Sequence, residues 1–295
     1  MIVVTGARGF IGRAVCNALT SRGHRVLTIG RGRESDLGWP APGAEFDADA
    51  IAALAGTRTV LNLAGEPIDA RWTAARKAAI TASRVQGTML LVRALSQLNP
   101  RPRVLISGSG VGYYGSRGDE WLEETSTPGT DFLAGVCGEW EAAAAGAGAA
   151  GIRVVQMRLG VVIGAGGGIV ERVSKIFRLG LGGRLGSGTQ WMSWIALDDL
   201  VRFIIRSIDD ELIHGPTNVV SAAPVTNAEF TDALAGAIGR PAVMPAPAFA
   251  LRAVFGAMAD DVLLGSQRVR PARLLASGFS FEHASIDDAL KAALT

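Results

Sequence analysis

The chain has 295 residues, of which 48% are hydrophobic and 19% charged, with a formal net charge of +2. That length supports one large or two modest domains around a sizeable core, and so small a charge argues against nucleic acid or an anionic membrane as partner. The two cysteines, Cys16 and Cys137, and the three histidines, His24, His214 and His283, are scattered without metal-ligand spacing. No metal site is therefore expected, and the thiols suit a reduced, cytoplasmic setting.

The apolar start Met1-Ile2-Val3-Val4 reads as a strand. It lacks the basic lead and cleavage site of a secretion signal, and no run is long and apolar enough to span a bilayer. Behind the strand Ile2–Thr5 come Gly6, Ala7, Arg8, Gly9, Phe10, Ile11 and Gly12, then an apolar helix Phe10–Leu19, a stop at Gly23 and a second strand Arg25–Ile29. A strand, three glycines and a helix in that order predict a dinucleotide-binding turn. One glycine turns the chain, one lets a pyrophosphate approach, and one packs helix against strand. The helix N-terminus then offers unpaired N–H groups to phosphate. A glycine-rich turn without a ligand is the plainer alternative.

At the end of the second strand, Gly30-Arg31-Gly32-Arg33 carries two guanidiniums and no carboxylate before Glu34. An acid there would hold ribose hydroxyls, whereas arginines pair with phosphate, so NADP is favoured over NAD. The other reading is a pair of solvated loop arginines. Further strands are expected at Ala44–Asp47, Thr59–Leu63, Arg103–Ser107 and Arg153–Leu159, with helices at Thr73–Leu98 and Phe132–Ala150. Near-continuous apolar strands alternating with helices predict an α/β fold, a doubly wound parallel (Rossmann) sheet, with ligand at the C-terminal strand ends. Residues 1–160 form this core. Residues 161–295 form a smaller, mixed C-terminal substrate lobe with elements returning to the core. In the lobe, glycine-rich loops flank a helix Ile169–Leu179, Thr226 and Glu229 form a capping box before a helix reaching Ile238, and Ile286–Leu294 closes the chain. The stretch 164–195 is expected to fold over the cleft and tighten on ligand.

The glycine turn, Asn62-Leu63-Ala64-Gly65 and Ser107-Gly108-Ser109-Gly110-Val111-Gly112-Tyr113-Tyr114-Gly115 together resemble an extended short-chain dehydrogenase/reductase. Gly65-Glu66-Pro67-Ile68, Ser83-Arg84-Val85, Asp131-Phe132-Leu133, the segment 177–183 and Gln190-Trp191-Met192-Ser193-Trp194-Ile195 are similar to the sugar-nucleotide epimerase-like branch of that superfamily. The resemblance covers nearly the whole chain. It implies bound NADP(H) and a polar small-molecule substrate such as a nucleotide sugar, and it leaves room for a homodimer. The cofactor would lie along Gly6, Arg8, Gly9, Phe10, Ile11, Gly12, Arg31, Arg33, Leu63, Ala64, Gly65 and Ser107. Arg158, Arg184, Gln190 and Trp191 would serve the substrate. Arg158, in an apolar strand, must find either a protein partner or a ligand anion.

The chain also departs from the superfamily. The usual Tyr and Lys of the fifth helix, which move the substrate's proton, fall on Leu133 and Cys137 when Glu141 is aligned with the helical acid. Ser109, Tyr113 and Tyr114 are the candidate substitutes. Glu66 and the acidic run Asp119, Glu120, Glu123 and Glu124 stand next in line. Cys137 reads more readily as packing than as a nucleophile. The favoured function is an NADP-dependent oxidoreductase or epimerase-like protein. The alternative is a non-catalytic NADP(H)-binding sensor that has lost the Tyr/Lys pair.

Overall fold

The computed structural model describes residues 1–32 and 34–295; Arg33, one of the two arginines expected to favour a phosphate, lies outside the described residues. The chain runs β1 (Ile2–Thr5), α1 (Phe10–Ser21), β2 (Val26–Gly30), β3 (Leu37–Gly38), α2 (Ala48–Ala53), β4 (Thr59–Asn62), α3 (Ala74–Ser96) and β5 (Val104–Gly110). It continues through β6 (Trp121–Leu122), α4 (Phe132–Ala145), β7 (Arg153–Leu159), β8 (Val161–Ile163), α5 (Gly168–Arg178), β9 (Trp191–Met192) and β10 (Trp194–Ala196). The remainder is α6 (Leu197–Asp209), β11 (Gly215–Val219), β12 (Val225–Thr226), α7 (Asn227–Ile238), α8 (Ala248–Phe255), β13 (Arg268–Val269), α9 (Ala272–Ala276) and α10 (Ile286–Leu294).

Seven strands form one parallel sheet in the order β11-β7-β5-β4-β1-β2-β3. Strand order reverses between β1 and β4, where the chain leaves in opposite directions along the sheet, so a crevice opens at their C-terminal ends. Each face is covered. Val15 and Leu19 of α1 and Leu200, Phe203 and Ile204 of α6 pack with Ile2, Val4 and Ile106 on one side. Leu91, Val92 and Leu95 of α3 and Ala144 of α4 pack with Val3, Val60 and Leu105 on the other. Burial on both faces explains why these strands read as unbroken apolar runs.

The sheet differs from expectation at one edge. Ala44–Asp47 is not a strand; the edge strand is Leu37–Gly38, and the chain instead descends to Asp47, whose carboxylate accepts the Ala50 amide at 2.8 Å and caps α2. Only Phe46 of that segment is buried, and a free carboxylate near an alanine-rich run favours a cap over a ladder. Another difference follows from tertiary pairing: the fifth strand runs on to Gly110 because β7 pairs with it along its whole length. β11 comes from the second half and closes the sheet beside β7. The helix expected over Phe132–Ala150 is α-helical to Ala145 and tightens to a 3₁₀ turn over Gly146–Ala150, where glycines weaken helix propensity.

The lobe has its own small core, in which Phe177 of α5, Phe230 and Leu234 of α7 and Leu290 of α10 surround Trp194 and Ile163. The capping box forms as read, with Thr226 Oγ1 accepting from the Glu229 amide and the Glu229 carboxylate accepting from the Thr226 amide. β13 pairs with β6 and ties the lobe to the loop after β5. Among the described residues no helix is long and apolar enough to cross a membrane.

Candidate functional site

The crevice at the ends of β1, β2 and β4 holds a cavity of about 900 Å³. Gly6, Arg8 and Gly9 form one wall, Ile29, Gly30 and Arg31 a second, Ala64 and Gly65 the floor, and Ser83, Gln86 and Arg93 of α3 the far side. Two glycines are obligatory here. Gly6 has φ +69°, and a Cβ on it would stand 2.7 Å from the Leu63 carbonyl; a Cβ on Gly12 would overlap the Gly6 carbonyl and reach within 2.8 Å of Ala7 Cα. The turn therefore closes against the β4 loop and against α1 only without side chains. Gly9 caps α1 with no side-chain hydrogen bond, so the first-turn N–H groups stay free for a ligand in the cavity. This is the shape that a dinucleotide pyrophosphate requires.

Beneath the floor lies a polar brace. Thr5 Oγ1 donates to Asn62 Oδ1 at 2.8 Å and accepts from the Leu63 and Ala64 amides at 3.1 Å. Asn62 Nδ2 donates to Thr88 Oγ1 at 2.8 Å and to Ser107 Oγ at 3.3 Å. Three of the expected cofactor residues, Ser107, Phe10 and Ile11, have their side chains engaged within the protein. Ser107 is fully buried in the brace. The Phe10 ring fills space left by Gly164, Gly167 and Gly168 of the lobe, and Ile11 packs on the sheet core. Those lobe glycines serve close packing on Phe10. The Arg13 guanidinium holds the same loop through the Gly166 carbonyl at 3.0 Å.

At the cavity mouth Arg31 and Arg8 are 77% and 63% exposed and pair with Glu66 and Glu34 at 3.1 Å each. The nearest acid in sequence after these, Asp36, turns away from the mouth and accepts both the amide and the hydroxyl of Thr28 at 2.7 Å. Those hydrogen bonds hold its carboxyl below the usual range.

Past Gly110 a second cluster is buried between β5, β7 and α4. Arg158 and Glu141 form a two-pronged ion pair, Nε to Oε1 at 2.9 Å and Nη2 to Oε2 at 2.8 Å. Ser109 Oγ donates to Glu141 Oε1 at 2.7 Å. Arg158 Nη1 donates to Tyr114 Oη at 3.0 Å, and Tyr114 in turn donates to Asn218 Oδ1 at 2.6 Å. Burial opposes the charge on Arg158, but hydrogen bonds and charge from Glu141 and Tyr114 outweigh it and raise its pKa. The strand arginine thus has a protein partner. Tyr114 is wholly buried, and burial pushes its phenol up to about 12. Burial, then Glu141, pushes the Cys137 thiol up to about 11.

Tyr113 remains. Its ring lies 3.5 Å from the Arg158 guanidinium carbon, it is only partly buried, and among the described residues its hydroxyl has no hydrogen-bond partner. The acidic candidates are all engaged. Glu66 joins Arg31 and Arg76, Asp119 accepts from Trp191 Nε1, Glu120 pairs with Arg117, Glu123 with Arg270, and Glu124 accepts the Asn218 and Arg273 amides. In the lobe, Gln190 spends its amide on the Leu185 and Leu263 carbonyls, and Trp191 stacks on Arg268, so both hold the lobe together. Arg184 alone of the lobe candidates keeps an exposed side chain without an ion-pair partner among the described residues. Sequence reading missed Arg93 and Gln86, which reach the cavity only through the long α3.

Residues 2–220 match the model of the NAD dependent epimerase/dehydratase family, and residues 246–293 match a domain of unknown function, DUF1731. Epimerase family protein Mb2239 of Mycobacterium bovis is 41% identical over 299 residues, covering 100% of this chain and 98% of its own. The crystal structure of human epimerase family protein SDR39U1 with NADPH superposes with a TM-score of 0.89 at 34% identity, covering 99% of this chain and 98% of that one. A nucleoside-diphosphate sugar epimerase from Corynebacterium glutamicum gives 0.79 at 36% identity, with 99% of this chain and 57% of the other covered. The glycine turn locked between β1 and β4, the crevice at the order reversal and the likeness along the full chain agree: the chain belongs to the NAD dependent epimerase/dehydratase family.

Proposed function

We propose that this chain binds NADP(H) and runs epimerase-type hydride chemistry on a nucleotide sugar or a similar polar molecule. The observation that carries the reading is the cavity mouth, where Arg8 and Arg31 stand exposed and the end of β2 bears no carboxylate. Exposed ion pairs contribute little, so a 2′-phosphate can displace Glu34 or Glu66 and gain a charge-assisted, forked contact. The human relative solved with NADPH and the Corynebacterium sugar epimerase support the two halves of this reading.

A bound nicotinamide supplies a hydride acceptor and donor. The protein's part is to hold the pyrophosphate on the α1 N-terminus, fix the floor through Asn62 and Thr5, and place a proton carrier beside the substrate. Tyr113 suits that last role, since its hydroxyl is unclaimed and the ring is pinned against Arg158.

Calorimetric titration tests the cofactor half. NADPH should bind at least tenfold more tightly than NADH, about 1.4 kcal/mol. The double variant Arg8→Ala, Arg31→Ala should lose that preference. Equal affinities in the wild type would overturn the reading. For the chemistry, turnover of nucleotide sugars should fall about a hundredfold or more in Tyr113→Phe. Firm NADPH binding with no turnover on any of them would instead favour a binding protein.

A further inference from the structure

Among the described residues, one half-buried cation beside the cavity floor has no carboxylate in contact. Arg84 projects from α3 into the gap between the ends of β4 and β5. Its guanidinium lies against the place where a side chain on residue 65 would be. A Cβ on Gly65 would stand 3.0, 3.1 and 3.2 Å from Arg84 Cζ, Nη2 and Nη1, so the plane faces the Gly65 Cα. The Trp140 ring lies 5.3 Å from the guanidinium carbon. Nη1 donates to the Glu66 carbonyl at 2.9 Å and, more weakly, to the Ile80 carbonyl. Among the described residues, Nε and Nη2 have no acceptor, yet neither is sealed from solvent. The Glu66 carboxylate, the nearest acid in the chain's own loop, is spent on Arg31 and Arg76. Burial lowers the Arg84 pKa, and the nearby Cys137 and Glu66 oppose that shift. Those two donors meet solvent, and the oxygen atoms of a ligand would replace water there as charge-assisted partners.

Its surroundings say which ligand. Gly65 floors the cavity that begins at the glycine turn, so a dinucleotide whose pyrophosphate sits on α1 passes over Gly65 toward Ser109 and Tyr113. Arg84 also lies close enough to Cys137 for its charge to act on that thiol. Cys137 occupies the helical position at which the resemblance would place a lysine. We propose that Arg84, reaching in from α3, replaces that cation: its free Nε and Nη2 donate to the hydroxyls of the nicotinamide ribose and so position the nicotinamide. This rests on the NADP(H) reading above. Arginine suits the task, since a planar fork can meet two neighbouring oxygens at once.

The test compares two ligands by calorimetry, NADPH and adenosine 2′,5′-bisphosphate, which lacks the nicotinamide riboside. Arg84→Gln should weaken NADPH at least tenfold and leave the bisphosphate within twofold. The enhancement of nicotinamide fluorescence on binding should shrink with it. Arg84→Lys keeps the charge without the fork, packs more conservatively if the Gln variant folds poorly, and should show a smaller loss confined to NADPH. Equal losses for both ligands in either variant, or no loss for either, would overturn the role of Arg84. Wild-type protein that binds neither ligand would overturn the cofactor reading and this inference together.

Discussion

Arg158 and Glu141 show how strongly one residue's meaning depends on its neighbours. An arginine inside an apolar strand reads as a ligand for an anion, yet here its side chain is 3% exposed and that of Glu141 8%. Two charges removed from water are tolerable only as a well-formed pair, and removing one member leaves the other uncompensated. Glu141→Ala should therefore destabilise the protein by about 3–5 kcal/mol, whereas the paired change Glu141→Leu with Arg158→Met should cost clearly less. Denaturant midpoints for the three proteins check this. If the double variant is as unstable as the single one, an uncompensated charge is not what destabilises Glu141→Ala. The arginine's need for a partner was legible in the sequence. The identity of that partner, 17 positions earlier on another element, was not, because only the packing of α4 against β5 and β7 brings them together.

At the scale of elements, the first strand, turn and helix were legible because their constraints are local. The steric limit at Gly12, the N-cap and the apolar stripe act within twenty residues, whereas the limit at Gly6 is set by Leu63 once β4 lies alongside. Gly12→Ala should break this unit, since its Cβ would overlap the Gly6 carbonyl. We expect NADPH binding to fall at least tenfold and stability by about 1–3 kcal/mol, the usual cost of overpacking. Gly9→Ala meets only the Gly6 carbonyl at 3.2 Å and should be milder. Titration and thermal melting of both variants decide it, and equal behaviour would show that the turn tolerates a side chain at either place. The false strand at Ala44–Asp47 marks the limit of local reading. Whether a short apolar run joins a sheet depends on an edge being free to receive it, and Leu37–Gly38 holds that edge.

At the scale of the whole molecule, two buried weak acids make stability depend on alkaline pH. The Cys137 thiol is pushed from near 9 to about 11, and the Tyr114 phenol from 10 to about 12, both first by burial. Each group holds its proton more tightly when folded, so the unfolded chain releases protons first as pH rises. Their contribution is fully present below about pH 9 and is lost progressively between about 9 and 12. The thiol alone should account for on the order of 2–3 kcal/mol by pH 11. Stability measured from pH 8 to 11 should fall, and Cys137→Ala should flatten the fall. A wild-type curve that stays level across that range would refute it.

The sequence by itself determined the strand–glycine–helix opening, the alternation that forces a parallel sheet and the capping of α7, because each follows from steric or periodic rules acting over short stretches. Only the tertiary structure decided which polar groups face the cleft. It sank Ser107, Tyr114 and Arg158 into buried networks, left the Tyr113 hydroxyl unclaimed, and carried Arg84 from the middle of a long helix to the floor beside Gly65. Those outcomes depend on which strands lie side by side and which helices cover them, and hydrogen-bond partners 44 to 104 residues apart are fixed only when the sheet closes.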